Sequence, residues 1–204
     1  MLPIFPLSGV VLLPRGRLPL NIFEPRYLAM VEDALSGDRM IGMIQPTDPA
    51  ARCRQPAVYE TGCAGRITAF TEAGDGRCMV TLTGVSRFVV MKELPVTRGY
   101  RRVIPSWDRF AEDLRECGGS DLDRLRLFAG LRTYFKTQGI QADWEAIEAT
   151  SDERLITSLA MICPFESSEK QALLEAPDIS ERARLLIVLI EMAVLDNGDP
   201  VARH

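Results

Sequence analysis

One histidine, His204, stands at the very end of a chain of 204 residues. Nucleophilic catalysis of the Ser-His or Cys-His kind needs an imidazole held beside the attacking group, so no such pair can be assembled from this sequence. A Ser-Lys arrangement survives formally from Lys92, Lys136 and Lys170. Each of these is followed by a polar residue, Glu93, Thr137 or Gln171, and the pattern predicts solvated ammonium groups. Five cysteines, Cys53, Cys63, Cys78, Cys117 and Cys163, are odd in number and contain no C-x-x-C pair. They read as reduced thiols packed as small hydrophobes, not as zinc ligands. The carboxylate pairs Glu112/Asp113 and Asp121/Asp123 fall where helices are expected to start, and negative charge there complements the helix dipole. Gly74-Asp75-Gly76 is too short for a phosphate-cradling loop and lacks its lysine; Asp-Gly between two strands is a hairpin turn. No catalytic residue, cofactor or metal ligand is therefore assigned.

Binding chemistry is better represented. Arg98, Arg101 and Arg102 flank Tyr100 and form the one basic cluster with an aromatic inside it, but the formal net charge is −4 and no second basic stripe accompanies it. Nucleic acid is not the expected partner. Met40, Met43, Phe70 and Met79, beside the proline-rich stretch 45–56, could form an apolar groove, because unbranched polarizable methionine repacks around varied partners. The competing reading places the same side chains in a core.

These residues need elements to carry them. Apolar runs at Val10 to Leu13 and Leu18 to Phe23, cut by Pro14 and Pro19, suit buried strands. Pro25 can open a helix, since its φ is already near the helical value and a first-turn N–H would be unpaired anyway. Tyr27, Leu28, Val31 and Leu35 then share a face, predicting a helix over 25–35. Strands are expected at Met40 to Ile44, Tyr59 to Phe70, Cys78 to Thr83, Arg87 to Met91 and Tyr100 to Ile104, with Gly62 and Gly65 marking bulges or close approach and Gly84 separating two strands. From Ser106 the apolar period changes to three and four, and helices follow, Gly118-Gly119 parting a short one around Asp108 to Glu116 from a longer one at about Asp121 to Thr137. Thr150/Glu153, Ser168/Gln171 and Asp178/Glu181 have capping-box spacing. The organisation is thus a β region over 1–105, a helical region over 106–196 and a frayed tail over 197–204. A fragment of residues 1–107 should be strand-dominated.

Phe5-Pro6-Leu7, Val11-Leu12-Leu13-Pro14, Leu18-Pro19-Leu20 and Ile22-Phe23-Glu24-Pro25-Arg26-Tyr27 together resemble the opening of the Lon substrate-binding domain family. Gly62-Cys63-Ala64-Gly65-Arg66-Ile67, Asp75-Gly76-Arg77, Gly84-Val85-Ser86-Arg87-Phe88 and, later, Ile162-Cys163-Pro164-Phe165-Glu166 and Asp178-Ile179-Ser180-Glu181-Arg182 extend the likeness along nearly the whole chain. One departure is Ala69-Phe70, where an aromatic pair or tryptophan is usual. The resemblance implies an α+β fold, a PUA-like β pseudobarrel followed by an α-helical bundle, and recognition of unfolded or tagged polypeptide without the ATPase and protease parts of Lon. Two alternatives stand beside it: an adaptor docking on a separate protease or ligase, and a PUA-like RNA-binding protein.

An apolar content of 47% with 25% charged residues is that of an ordinary soluble domain. The N-terminal apolar run lacks a cationic leader and is broken at Pro3, Pro6 and Pro14, and no stretch approaches the length of a membrane span. A cytoplasmic, membrane-free protein is expected.

Overall fold

The computed structural model describes residues 1–50, 53, 55–74, 76–115 and 122–198, the side chains as far as residue 195. Asp75, Cys117, Gly118-Gly119, Asp121 and the tail beyond 198 lie outside the described residues. The longest strand, β5 (Cys78–Thr97), organises the sheet. Its first half pairs with β2 (Arg17–Ile22) on one side and β4 (Thr61–Glu72) on the other, and its second half pairs with β6 (Tyr100–Ser106). With β1 (Leu2–Pro6) and β3 (Met40–Ile44) the order is β2-β5-β4-β3-β1-β6, and the extra β5–β6 pairing closes the sheet on itself. Only β1 and β3 run parallel among the paired strands described. Period-two burial drives this: Cys78, Val80 and Leu82 point inward while Met79 points out.

The helix α1 (Pro25–Leu35) begins with Pro25 in its first turn, as the fixed φ of proline requires, and buries Tyr27, Met30, Val31 and Ala34 against the sheet. The Phe5 and Tyr27 rings meet at 4.2 Å between centroids.

Val10 to Leu13 is not a strand. Val11, Leu12 and Leu13 are buried in the core, but the segment crosses β5 instead of pairing along it. The crossing point is Gly84: Arg15 N–H donates to its carbonyl, its own N–H donates to the Gly16 carbonyl, and an added Cβ would sit 1.9 Å from the Leu13 carbonyl oxygen. Gly65 makes room in the same way for Leu12, with bulges at 64/65 and 67/69 accommodating the bend. Gly84 therefore does not separate two strands; β5 runs through it.

Beyond Ser106 the described chain is helical, from a 3-10 segment at Asp108–Leu114 through α2 (Arg124–Thr137), α3 (Trp144–Ala149), α4 (Asp152–Ile162), α5 (Ser167–Glu175) and α6 (Ile179–Gly198). Asp178 accepts from Glu181 N–H as its spacing foretold, and Asp123 caps α2. The other two caps move by one or two residues. Ser151 precedes α4, and the reciprocal cap of α5 is Glu166 with Glu169. Gln171 is instead buried, donating to the Thr61 carbonyl and to Glu175.

Buried polar groups join the strands to the helices. Arg87 on β5 forms a forked pair with Asp113 (2.7 and 2.9 Å) and donates to the carbonyls of Leu174 and Ala176. Gln45 donates to the Ser167 carbonyl. Lys170 is not solvated as its neighbours suggested: it is 6% exposed, and its Nζ donates to the Gly9 and Met161 carbonyls at 3.0 and 3.1 Å. One hydrophobic core runs from Phe5 and Leu12 through Ile67 to Leu131, Leu159 and Ile190, and a smaller one gathers Leu2, Ile4, Ile44, Ala64, Phe88 and Val103 inside the closed sheet.

Candidate binding clefts

A cleft of about 610 Å³ opens between α1 and the tip of the β4–β5 hairpin. The 3.6-residue period places Leu28, Ala29, Glu32 and Leu35 along its helical wall, above the buried Val31. Phe70, Glu72, Ala73 and Arg77 form the strand wall, and Cys78 lies at its floor. One end of its polar rim is paired. Arg98 at the β5–β6 turn binds Glu32 and Asp33, and Tyr100 Oη donates to Asp33 at 2.8 Å. Burial, reinforced by that bond, pushes the Tyr100 hydroxyl above its usual range. Burial likewise raises the Cys78 thiol, so it stays protonated and a poor nucleophile. The cleft can hold an apolar side chain or short segment; its lining offers no nucleophile with a base beside it.

The four residues proposed as one groove do not converge. Met43, 1% exposed, shares its strand face with Ile41 and fills the main core. Met40 is half-buried against the smaller core. Phe70 lies opposite Val80 and Met79 opposite Thr71, so these two point to opposite faces of one hairpin. Phe70 alone, 38% exposed, reaches the cleft. By spacing alone, Leu28 and Leu35 belong to the apolar stripe of α1. The stripe was legible, but which of its edges stays open is decided by where the hairpin tip falls.

The basic cluster does not form a free cationic face either. Arg101 is 8% exposed, forked onto Glu93 and donating to the Pro56 carbonyl, and Arg102 donates to the Pro95 carbonyl. The bond from Arg101 holds the Glu93 carboxyl below its usual range. Among the described residues, no cluster of His, Cys, Asp or Glu suits a metal ion, and no helix is long and apolar enough to cross a membrane.

A second cleft, about 600 Å³, lies between residues 15–19, at the start of β2, and α4.

A closed mixed sheet backed by helices thus carries both clefts on its described surface. The profile of the ATP-dependent protease La (LON) substrate-binding domain matches residues 1–192, and the chain belongs to that family. A Lon N-terminal domain protein from Xanthomonas campestris superposes with a TM-score of 0.63 at 24% identity, covering 92% of this chain and 96% of that one. The N-terminal domain of a Mycobacterium avium complex Lon protease gives 0.59 at 14%, over 93% and 97%. At these identities the likeness is one of fold. Lon protease of Dictyoglomus thermophilum is 26% identical over 203 residues, 98% of this chain and 26% of its own length. Lon protease 2 of Sorangium cellulosum is 28% identical over 92% of this chain and 24% of its own length. The chain thus spans about a quarter of the curated relatives it matches.

Proposed function

We propose that this protein is a non-catalytic polypeptide-binding module that recognises unfolded or tagged protein, with the cleft between α1 and the β4–β5 hairpin as its contact surface. The observation that carries the reading is the composition of that cleft: Leu28, Leu35 and Phe70 on facing walls, beside a rim where Arg98 is held by Glu32 and Asp33. Such a surface accepts apolar side chains from a disordered chain without demanding a particular charge. Ordering a disordered partner consumes much of the gross interaction energy, so dissociation constants on the order of micromolar are expected.

The test is fluorescence anisotropy with a reduced, carbamidomethylated model protein. Leu28→Asp and Phe70→Ser, on opposite walls, should each weaken binding about tenfold, since a charge or a lost ring at the centre of an apolar contact removes its main contribution. Affinity should change little with salt, whereas a nucleic-acid contact falls by orders of magnitude. Undiminished binding by both variants would refute the assignment of this cleft. Casein hydrolysis or ATP turnover surviving repurification would refute the non-catalytic reading.

A further inference from the structure

Among the described residues, strand β2 is paired on one side only, by β5, and its other side looks across the second cleft toward α4. The phase of its free peptide groups can be read from two independent facts. Gly84 directs both its N–H and its C=O toward residues 15 and 16, so alternation turns Leu82 toward Leu18 and Thr81 away from Pro19. Pro19 has no N–H and could not have paired inward in any case. The outward groups are therefore the N–H and C=O of Arg17 and Asn21, with only a carbonyl at Pro19. This edge can accept a short added strand but not a long ladder, which disfavours a second copy of β2 as its occupant.

The walls add the chemistry of side chains. Leu18 and Met161 are half-buried, and Ile162, at 76% exposed, ends α4 in the open. At the closed end, Gly16 fits under Met161 and Thr157 with no space for a Cβ. Charge is unbalanced here. Arg15 is matched by Glu153 at 3.0 Å, but Arg17 and Arg154, both exposed, have no ion-pair partner among the described residues. Two guanidinium groups thus border an apolar strip beside an unpaired strand edge, in a protein whose net charge is −4. No aromatic ring lines the cleft, so nucleic-acid bases have nothing to stack on.

We propose that the β2–α4 cleft binds an extended polypeptide segment in which carboxylates flank an apolar side chain. The backbone lies along the outward edge of Arg17 to Asn21, the apolar side chain rests on Leu18, Met161 and Ile162, and the carboxylates meet Arg17 and Arg154. This extends the polypeptide-binding reading with a second site that selects for charge, where the α1 cleft does not.

The experiment uses the full chain at low salt and a dye-labelled peptide of alternating glutamate and leucine, against its counterpart with every glutamate replaced by glutamine. The glutamate peptide should bind about tenfold or more tightly, because exposed but oriented guanidinium–carboxylate pairs contribute modestly each and two act together. Arg17→Glu with Arg154→Glu should abolish the difference; both side chains are exposed, so an unchanged melting temperature verifies folding. Leu28→Asp, in the α1 cleft, should leave it intact, which separates failure of this proposal from failure of the other site. Absent binding of the glutamate peptide, equal affinity for the two peptides, indifference to the double reversal, or single-stranded RNA binding through Arg17 and Arg154 in its place would each overturn the proposal.

Discussion

Arg87 and Asp113 show how a residue read as surface charge becomes structure. Asp113 was expected to decorate a helix start, yet its carboxylate is almost buried against the Arg87 guanidinium. Removing one partner strands the other charge in a low-dielectric site, at a cost of about 3–5 kcal/mol, whereas replacing both with apolar groups can be neutral. Arg87→Ala should therefore lower the urea midpoint sharply, and Arg87→Met with Asp113→Leu should recover much of the loss. The buried thiols supply a pH dependence. Burial raises Cys163 to about 12 and drives Cys63 further up, well above the ordinary thiol value of about 8.5. Between those limits the unfolded chain has released protons that the folded chain keeps, so stability is full below the ordinary range and falls as pH climbs toward the folded value. Lys170, lowered by desolvation, works in the opposite sense between its folded value and its ordinary range. Melting temperature should decline through the alkaline range, and Cys163→Ala should flatten that decline; an unaltered slope would refute the assignment.

At the scale of elements, β5 depends on one residue. The Leu13 carbonyl occupies the space a side chain at 84 would need, and a backbone atom cannot swing aside. Gly84→Ala should cost about 3 kcal/mol or more, at the upper end of overpacking. Gly74→Ala at the hairpin tip, where nothing among the described residues lies within 4 Å of the added carbon, should be close to neutral and serves as the control. Both are measured by chemical denaturation. Comparable losses at the two glycines would show that the crossing of residues 11–13 over β5 is not what Gly84 permits. Helix α1 likewise owes its position to contacts distant in sequence: Arg98 and Tyr100, from the β5–β6 hairpin, hold Glu32 and Asp33. The cleft wall it presents is set by those clamps.

For the molecule as a whole, the change of period near Ser106 marks where strands end, but the main core continues across it, joining Leu12 and Ile67 to Leu131, Leu159 and Ile190. A fragment of residues 1–107 contains every described strand and should keep a strand-dominated circular dichroism spectrum. It should nevertheless lose cooperative unfolding and bind a hydrophobic dye, because Leu12, Leu13 and Arg87 would face water. A sharp thermal transition for the fragment would show two independent units. Alternation and three-to-four periodicity located most elements to within a few residues, since which face of a strand or helix is buried is a local property of the order of residues. Pro25 placed α1, Asp178 placed the start of α6, and the motifs at both ends of the chain carried the family likeness. The partner of a given side chain is not local in that way. Met43 and Phe70 look alike in sequence, and only the register of β3 and β4 sends one into the core and the other into a cleft. Lys170 and Asp113 carry the charges of solvated residues and are buried because segments roughly 26 to 161 positions away supply their hydrogen bonds. The sequence by itself determined most of the elements, their order and the family; tertiary structure alone decided which apolar surface stays open and which charges stay free, because both depend on contacts between segments that no local pattern records.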